Sequence, residues 1–447
     1  MSENARVNIM DNKCEMVIEV LVSKLTLDEK ISMLHGTGLF HNGGVERLGI
    51  PELVMSDGPM GVRNDFEDAH WMVIGNSDDY VSYLPSNSAL ASTWNRKLAY
   101  ETGTVLGEEA RGHGKDVILA PGINIKRSPL CGRNFEYMSE DPYLTGEMAV
   151  PLVKEGQVYS LMGAYNRYNG EHCCESKTLL NHILCEEWKF DGMVVSDWGG
   201  VHLTREAATS GLDLEMSVTD NFDEYCMAQP LKKAVEDGEI QEALIDEKVK
   251  NILRLMYRLH MLGEDVAIRK PGSYNTPEHR QKTLDVARES IVLLKNDKNQ
   301  LPLCQGKTRK VLVVGDNANR IQSYGGGSAE IKALYEITPL LGIKMLLGGN
   351  AKVDYVPGYY ADNFDHMNTE TNWQADSLEN GGGSMGENGG VAPDIIVVMF
   401  SGSPVEMPWI KRVHTLIWNW FNGMEGGTAL AEILFGKVNP SGCIYLL

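Results

Sequence analysis

Three short segments carry the residue types that could do chemistry. The first is Ser56-Asp57-Gly58-Pro59-Met60-Gly61-Val62-Arg63. The second is Gly132-Arg133-Asn134-Phe135-Glu136-Tyr137, which runs into Ser139-Glu140-Asp141-Pro142. The third is Val194-Val195-Ser196-Asp197-Trp198-Gly199-Gly200. In the third, an aspartate directly follows an apolar run that reads as a buried strand. A carboxylate there costs several kcal/mol unless it is paired, so it needs a reason. Carboxylates, an arginine and a tryptophan gathered at one place suit a polyhydroxylated ring. The carboxylates accept hydroxyl protons, and the indole covers the ring's apolar face. A plainer reading stays open, in which Asp57 and Asp197 cap helices that follow their strands.

These residues must be held by a scaffold of alternating elements. Thr26-Leu27-Asp28-Glu29 has the spacing of a capping box and opens a helix through about Leu34. Helical periodicity covers 95–111 and ends at Gly112. Val117-Ile118-Leu119-Ala120 reads as a buried strand closed by Pro121-Gly122. Residues 158–166 read as a strand, 177–189 as a helix, 192–197 and 212–216 as strands, and 245–262 as an amphipathic helix. Apolar strands alternating with helices predict a parallel sheet covered on both faces. Polar residues just past the strands, Asn124, Asn166 and Asp197, stand where a (β/α) barrel keeps its active site. The polar stretch 264–277, with two prolines, reads as a linker. A second α/β pattern follows over 278–447: a helix over 278–295, strands at 310–315, 352–356 and 394–400, and a helix at 428–435. A glycine-rich loop spans 379–390. Trp418 and Trp420 alternate as on a strand and read as packing residues.

Composition narrows the possibilities. The chain has 447 residues, long enough for two or three domains. Asp and Glu number 61 against 41 Lys and Arg, a net charge of −20, which repels phosphate backbones and excludes nucleic acid as a partner. No apolar stretch is long enough to span a membrane, so no membrane is expected as a partner. No basic, then apolar, leader opens the sequence, so a cytoplasmic location is the expectation. The eight cysteines form no C-x-x-C pair, and His172-Cys173-Cys174-Glu175 reads as a turn, so no metal is expected. Gly36-Thr37-Gly38 and Gly325-Gly326-Gly327-Ser328 lack phosphate-loop spacing, so no cofactor is expected.

Taken together, the segments resemble glycoside hydrolase family three of the β-glucosidase type. The resemblance rests on LTLDEKISMLHG, LAPGINIKRSPLCGRNFEYMSEDPYLTGE, LMGAYNRYNG and FDGMVVSDWGG in the first half. YGGGSAEIKALYEITPL, FSGSPVEMPW and LFGKVNPSG carry it in the second. It implies a TIM-like barrel over 1–263 and an α/β sandwich over 278–447, acting on β-linked glucosides or xylosides with retention. It assigns Asp197 as the nucleophile, and Asp57, Arg133, Tyr165 and Trp198 as sugar-binding residues. The GGGS segment would form a loop near the barrel mouth.

Against that resemblance the chain is short in two internal places. After AVPLVKEGQ, the Lys-His and Arg motifs of the family are missing, a loss of about one strand-helix unit, which takes ~30 residues. The barrel is therefore expected to be incomplete and the sandwich shortened. The family's E-G-x-D-R-like loop, source of the acid/base glutamate, is also missing, so that role is unassigned. Glu379 and Glu387, in the glycine-rich loop, are weak candidates. A sugar-binding chain with little or no turnover is the alternative reading.

Overall fold

The computed structural model describes residues 3–75, 79–154, 159–264, 266, 271–325, 327–357 and 395–444. The Thr26 capping box forms as its spacing predicts. Thr26 Oγ1 accepts from the Glu29 amide at 3.3 Å, and Glu29 Oε2 accepts from the Thr26 amide at 2.8 Å, so the helix Leu27–Met33 starts with satisfied donors. The helix Arg96–Gly112 opens on Asn95, whose side chain accepts from the Lys97 and Leu98 amides. Its buried stripe runs through Leu98, Thr102, Val105, Leu106 and Glu109, at the helical period.

Short parallel strands lie between the helices of the first half. Met55–Asp57 pairs with Val117–Leu119, setting Asp57 beside Leu119. Ser160–Met162 pairs with Met193–Val195, setting Met162 beside Val195. The predicted strand over 212–216 takes part only through parallel bridges, Leu214 to Val195 and Glu215 to His35. Met193–Val195, in the middle of this set, is wholly buried. Val117–Leu119 and Ser160–Met162 are only partly covered, and among the described residues each pairs with a single strand. Both are therefore edges of the described sheet.

The second half is also α/β. Ile396–Met399 runs parallel to Thr415–Trp418, which pairs antiparallel with Val292–Asn296. Lys310–Val314 and Lys352–Val356 form a parallel pair. The helices Pro339–Leu347 and Gly426–Leu434 touch where Gly342 meets Gly427: a Cβ on Gly342 would lie 2.1 Å from the Gly427 carbonyl oxygen.

Most predicted elements appear, with two corrections. The helix expected over 278–295 spans Pro277–Ser290, and Val292–Asn296 is a strand. Ile291 and Val292 are β-branched, and pairing with Thr415–Trp418 outweighs any helical tendency there. The helix expected over 177–189 is wound wider, as a π-helix over Thr178–Glu187. Trp418 and Trp420 are both buried, as expected of packing residues, but Trp420 lies past the strand's end with φ +54°. The 379–390 loop falls outside the described residues.

The halves share their cores. Ala89, Leu90, Leu98 and Leu144 of the first pack with Val286, Val292, Trp418 and Trp420 of the second. Met60, Val62, Tyr83 and Phe135 pack with Ala329, Ile331, Phe421 and Met424.

Candidate active site

The five residues singled out from the sequence, Asp57, Arg133, Tyr165, Asp197 and Trp198, line one cavity of about 1340 Å³. Asp57 ends the strand Met55–Asp57, and no helix follows it directly. Its carboxylate accepts from Arg63 Nη1 at 2.9 Å, and the Arg63 amide donates to the Asp57 carbonyl at 3.1 Å. The intervening turn is tight: a Cβ on Gly58 would lie 2.3 Å from the Gly61 carbonyl oxygen. Burial pushes the Asp57 carboxyl above its ordinary range, and Arg63 and then Arg133 oppose that shift.

Asp197 follows the buried strand Met193–Val195 by two residues. The helix-cap reading fails here as well, because the next helix begins only at Thr204. Its Oδ1 accepts from the Trp198 amide at 2.8 Å. Burial lifts the Asp197 pKa to about 6; the Trp198 N–H, the Tyr165 hydroxyl and Arg133 pull it down, and Asp57 pushes it up. The Tyr165 hydroxyl donates to the Trp198 carbonyl at 2.8 Å and lies in reach of the Asp197 carboxylate.

Arg133 precedes the turn Asn134–Glu136 and pairs with Glu136 at 2.6 Å. Its Nη2 also donates to the Ser328 hydroxyl. Glu136 is buried; desolvation pushes its carboxyl up, Arg133 pulls it down, and Asp57 and Asp197 push it further up. Asp57, Glu136 and Asp197 therefore interact with one another and with Arg63 and Arg133. Such a cluster repels itself unless ligand hydroxyls and guanidinium groups share the charge.

Trp198 donates from Nε1 to the Leu39 carbonyl at 2.7 Å, so its polar end is already engaged and its ring is what it offers the cavity. That ring packs on Phe40 with centroids 5.2 Å apart. Phe40 in turn meets Trp71 at 5.8 Å, and Trp71 also lines the cavity. Arg63 lies over the Phe66 ring, 4.6 Å from its centroid.

Arg63, Trp71, Glu136 and Ser328 complete the site and were not assigned to it from sequence. Glu136 had a signal, an acid three residues after Arg133 in a 3₁₀ turn. Trp71 had none. Ser328 belongs to the GGGS segment and lines the same cavity as Arg133. Glu379 and Glu387 fall outside the described residues. Among the described residues, no three His, Cys, Asp or Glu side chains are placed to hold a metal ion. Among them too, no helix is long and apolar enough to cross a membrane. His172-Cys173-Cys174-Glu175 forms a turn, where the His172 ring stacks on His202 at 3.7 Å.

Comparison with known proteins agrees with this geometry. Residues 44–158 and 150–255 match the glycosyl hydrolase family 3 N terminal domain, and 291–444 match the glycosyl hydrolase family 3 C-terminal domain. Beta-glucosidase BoGH3A of Bacteroides ovatus is 35% identical over 532 aligned positions, covering 96% of this chain and 70% of the relative. That alignment is longer than the chain, so the relative carries residues that this chain lacks. Thermostable beta-glucosidase B of Acetivibrio thermocellus is 32% identical over 95% of this chain and 65% of its own length. The chain thus spans about two thirds of the length of these relatives. The solved structure of beta-glucosidase 3B from Thermotoga neapolitana in complex with glucose superposes with a TM-score of 0.75 at 26% identity, over 95% of this chain and 74% of that one. A TIM-like domain followed by an α/β domain is the architecture these matches share. With buried carboxylates at or just past the ends of parallel strands and both domains matched in order, the chain belongs to glycosyl hydrolase family 3.

Proposed function

We propose that the chain releases terminal β-linked glucose or xylose from β-glucosides by a retaining double displacement, with Asp197 as nucleophile. The observation that carries this reading is the Asp197 carboxylate, lodged at a strand end in the shared cavity and tuned by Trp198, Tyr165 and Arg133. In the first step a carboxylate oxygen bonds to the anomeric carbon as the bond to the leaving oxygen breaks, and the leaving oxygen takes up a proton. In the second, water attacks the anomeric carbon, gives up a proton and frees the carboxylate. Asp57, Arg133 and Tyr165 grip sugar hydroxyls, and Trp198 lies along the ring. The carboxyls of a retaining pair stand ~5–5.5 Å apart, which bars a bulky wall between them. The acid/base residue is unassigned.

The domain boundaries proposed from sequence, 1–263, 264–277 and 278–447, are supported by family matches that end at 255 and resume at 291. The half-covered edges at Val117–Leu119 and Ser160–Met162 support a barrel that lacks a strand-helix unit. They also favour a second reading, sugar binding with impaired turnover. Replacing Asp197 by Ala tests the main reading: hydrolysis of an aryl β-glucoside is expected to vanish, and retained turnover would remove Asp197 from the role. A sugar that binds the intact chain without being cleaved, even when activated, would favour the second.

A further inference from the structure

The cavity is larger than a single sugar ring requires. At about 1340 Å³ it exceeds the roughly 300–1,000 Å³ typical of small-ligand pockets. Its chemistry also changes along its length. Asp57 ends its strand, Asp197 lies just past the C-terminal end of another, and Arg133 joins them from the turn Asn134–Glu136. Other walls come from Leu106, Leu119, Leu152, Leu161, Leu255 and Leu259. These leucines sit on the helices Arg96–Gly112, Pro142–Lys154 and Glu242–Arg258, just past the last of these, and on the two edge strands. The apolar part therefore lies where the two described sheet edges leave space between them. Glu108, Arg111, Lys115 and Asp116 border the cavity at the other end of the strand Val117–Leu119.

We infer that this apolar extension is a binding site for an alkyl or aryl chain attached to a sugar head, so that the chain takes amphipathic glycosides. The inference rests on the polar end being a sugar site, as proposed above. The sugar's hydroxyls face Asp57, Arg133 and Asp197, while the tail lies against the leucines. An apolar void of this kind favours a ligand that brings methylenes out of water, because its walls have few partner atoms of their own. Each methylene that is fully covered tightens binding by up to about fourfold. A wholly hydroxylated oligosaccharide gains nothing from that surface.

The test uses the full chain carrying Asp197→Ala, so that binding is read without turnover. Dissociation constants are measured by calorimetry for methyl, butyl, hexyl and octyl β-D-glucoside below micelle-forming concentrations, with n-octanol as a tail without a head. Binding is expected to tighten steadily, by at least about tenfold from methyl to octyl. Adding Gly107→Phe should abolish that gain while leaving methyl glucoside unaffected. Gly107 borders the cavity on the helix Arg96–Gly112, and a Cβ there meets nothing within 4 Å, so a side chain can be added without a clash at its base. A flat series with methyl glucoside still bound would overturn the apolar site and leave the glycosidase reading standing. Octyl glucoside binding no tighter than octanol would overturn the sugar end instead. A length dependence untouched by Gly107→Phe would place the tail elsewhere and overturn the inference.

Discussion

The Asp197 carboxylate accepts its hydrogen bond from the backbone of the very next residue, the Trp198 amide, at 2.8 Å. Asp197, the proposed nucleophile, and Trp198 are thus fixed by one turn of chain, and Tyr165, just past the strand Ser160–Met162, closes it by donating to the Trp198 carbonyl at 2.8 Å. Burial still outweighs these donors and leaves the Asp197 pKa at about 6. In the proposed role of nucleophile Asp197 works only when ionised, so kcat/KM is expected to fall as pH drops through about 6 in the free enzyme. Tyr165→Phe removes one group that favours the anion and should move that acid limb to higher pH. A pH profile of kcat/KM on an aryl β-glucoside reads both effects. An acid limb in the ordinary carboxylate range near 4 would contradict the first.

Arg133 is held from two sides, by Glu136 in its own turn and by the Ser328 hydroxyl from the second domain. A hydrogen bond to a charged group contributes roughly 1.5–3 kcal/mol. Ser328→Ala should therefore lower kcat/KM by roughly tenfold or more, with the melting temperature lowered by only a few degrees. Equal activity in the variant would show that Arg133 needs no help from the second domain.

His279 joins the two halves through charge. Its Nδ1 lies 2.9 Å from Glu109 and its Nε2 lies 2.8 Å from Glu108, both on the helix Arg96–Gly112. Burial lowers the His279 pKa, but the two carboxylates overcome it and the net shift is upward. Glu109 is net lowered, since hydrogen bonds from His279, Ser82 and Asn275 outweigh its burial. The signs set a window. The His279 contribution is fully present below its unfolded value of 6.5 and is lost as pH rises through its higher folded value. The Glu109 contribution is present above 4.5 and is lost as pH falls through its lower folded value. Stability should thus be greatest between these limits, read by denaturant unfolding across pH. His279→Ala is expected to cost toward the lower end of roughly 3–5 kcal/mol, because Ser82 and Asn275 still serve Glu109.

The unassigned proton donor makes its own prediction. General acid catalysis supplies roughly 10²–10⁴-fold. A chain without it should cleave an activated aryl β-glucoside far better than cellobiose, by about that factor beyond the ordinary difference between the two. Comparable rates on both would mean that a donor is in place.

Much of the site was legible because it sits at strand ends. An aspartate after Met193–Val195, or at the end of Met55–Asp57, breaks an apolar run and marks a place where the backbone leaves the sheet. Arg133 and Tyr165 came from the family resemblance, and the structure places both in the same cavity as the aspartates. What one-dimensional reading could not supply was contact across long separations. Trp71 reaches the cavity through a ring cluster with Phe40 and Phe66, and no local pattern marks it. His279 looks like an ordinary helix residue until Glu108 and Glu109 are brought against it. Residues 292–295 fall in the helix that local pattern predicts, because strand character there depends on a partner more than a hundred positions away, Thr415–Trp418.

The Ser328 contact also sets an order in time. During synthesis Asp57, Arg133 and Asp197 leave the ribosome well before the hydroxyl that steadies Arg133 exists. The Ala329 and Ile331 side chains that cover Met60 and Phe135 follow just behind it. A nascent chain halted at the end of its first half would carry Asp197 beside a loosely held arginine and an uncovered apolar surface. The full rate would then arrive only when the second half folds back and Ser328 meets Arg133.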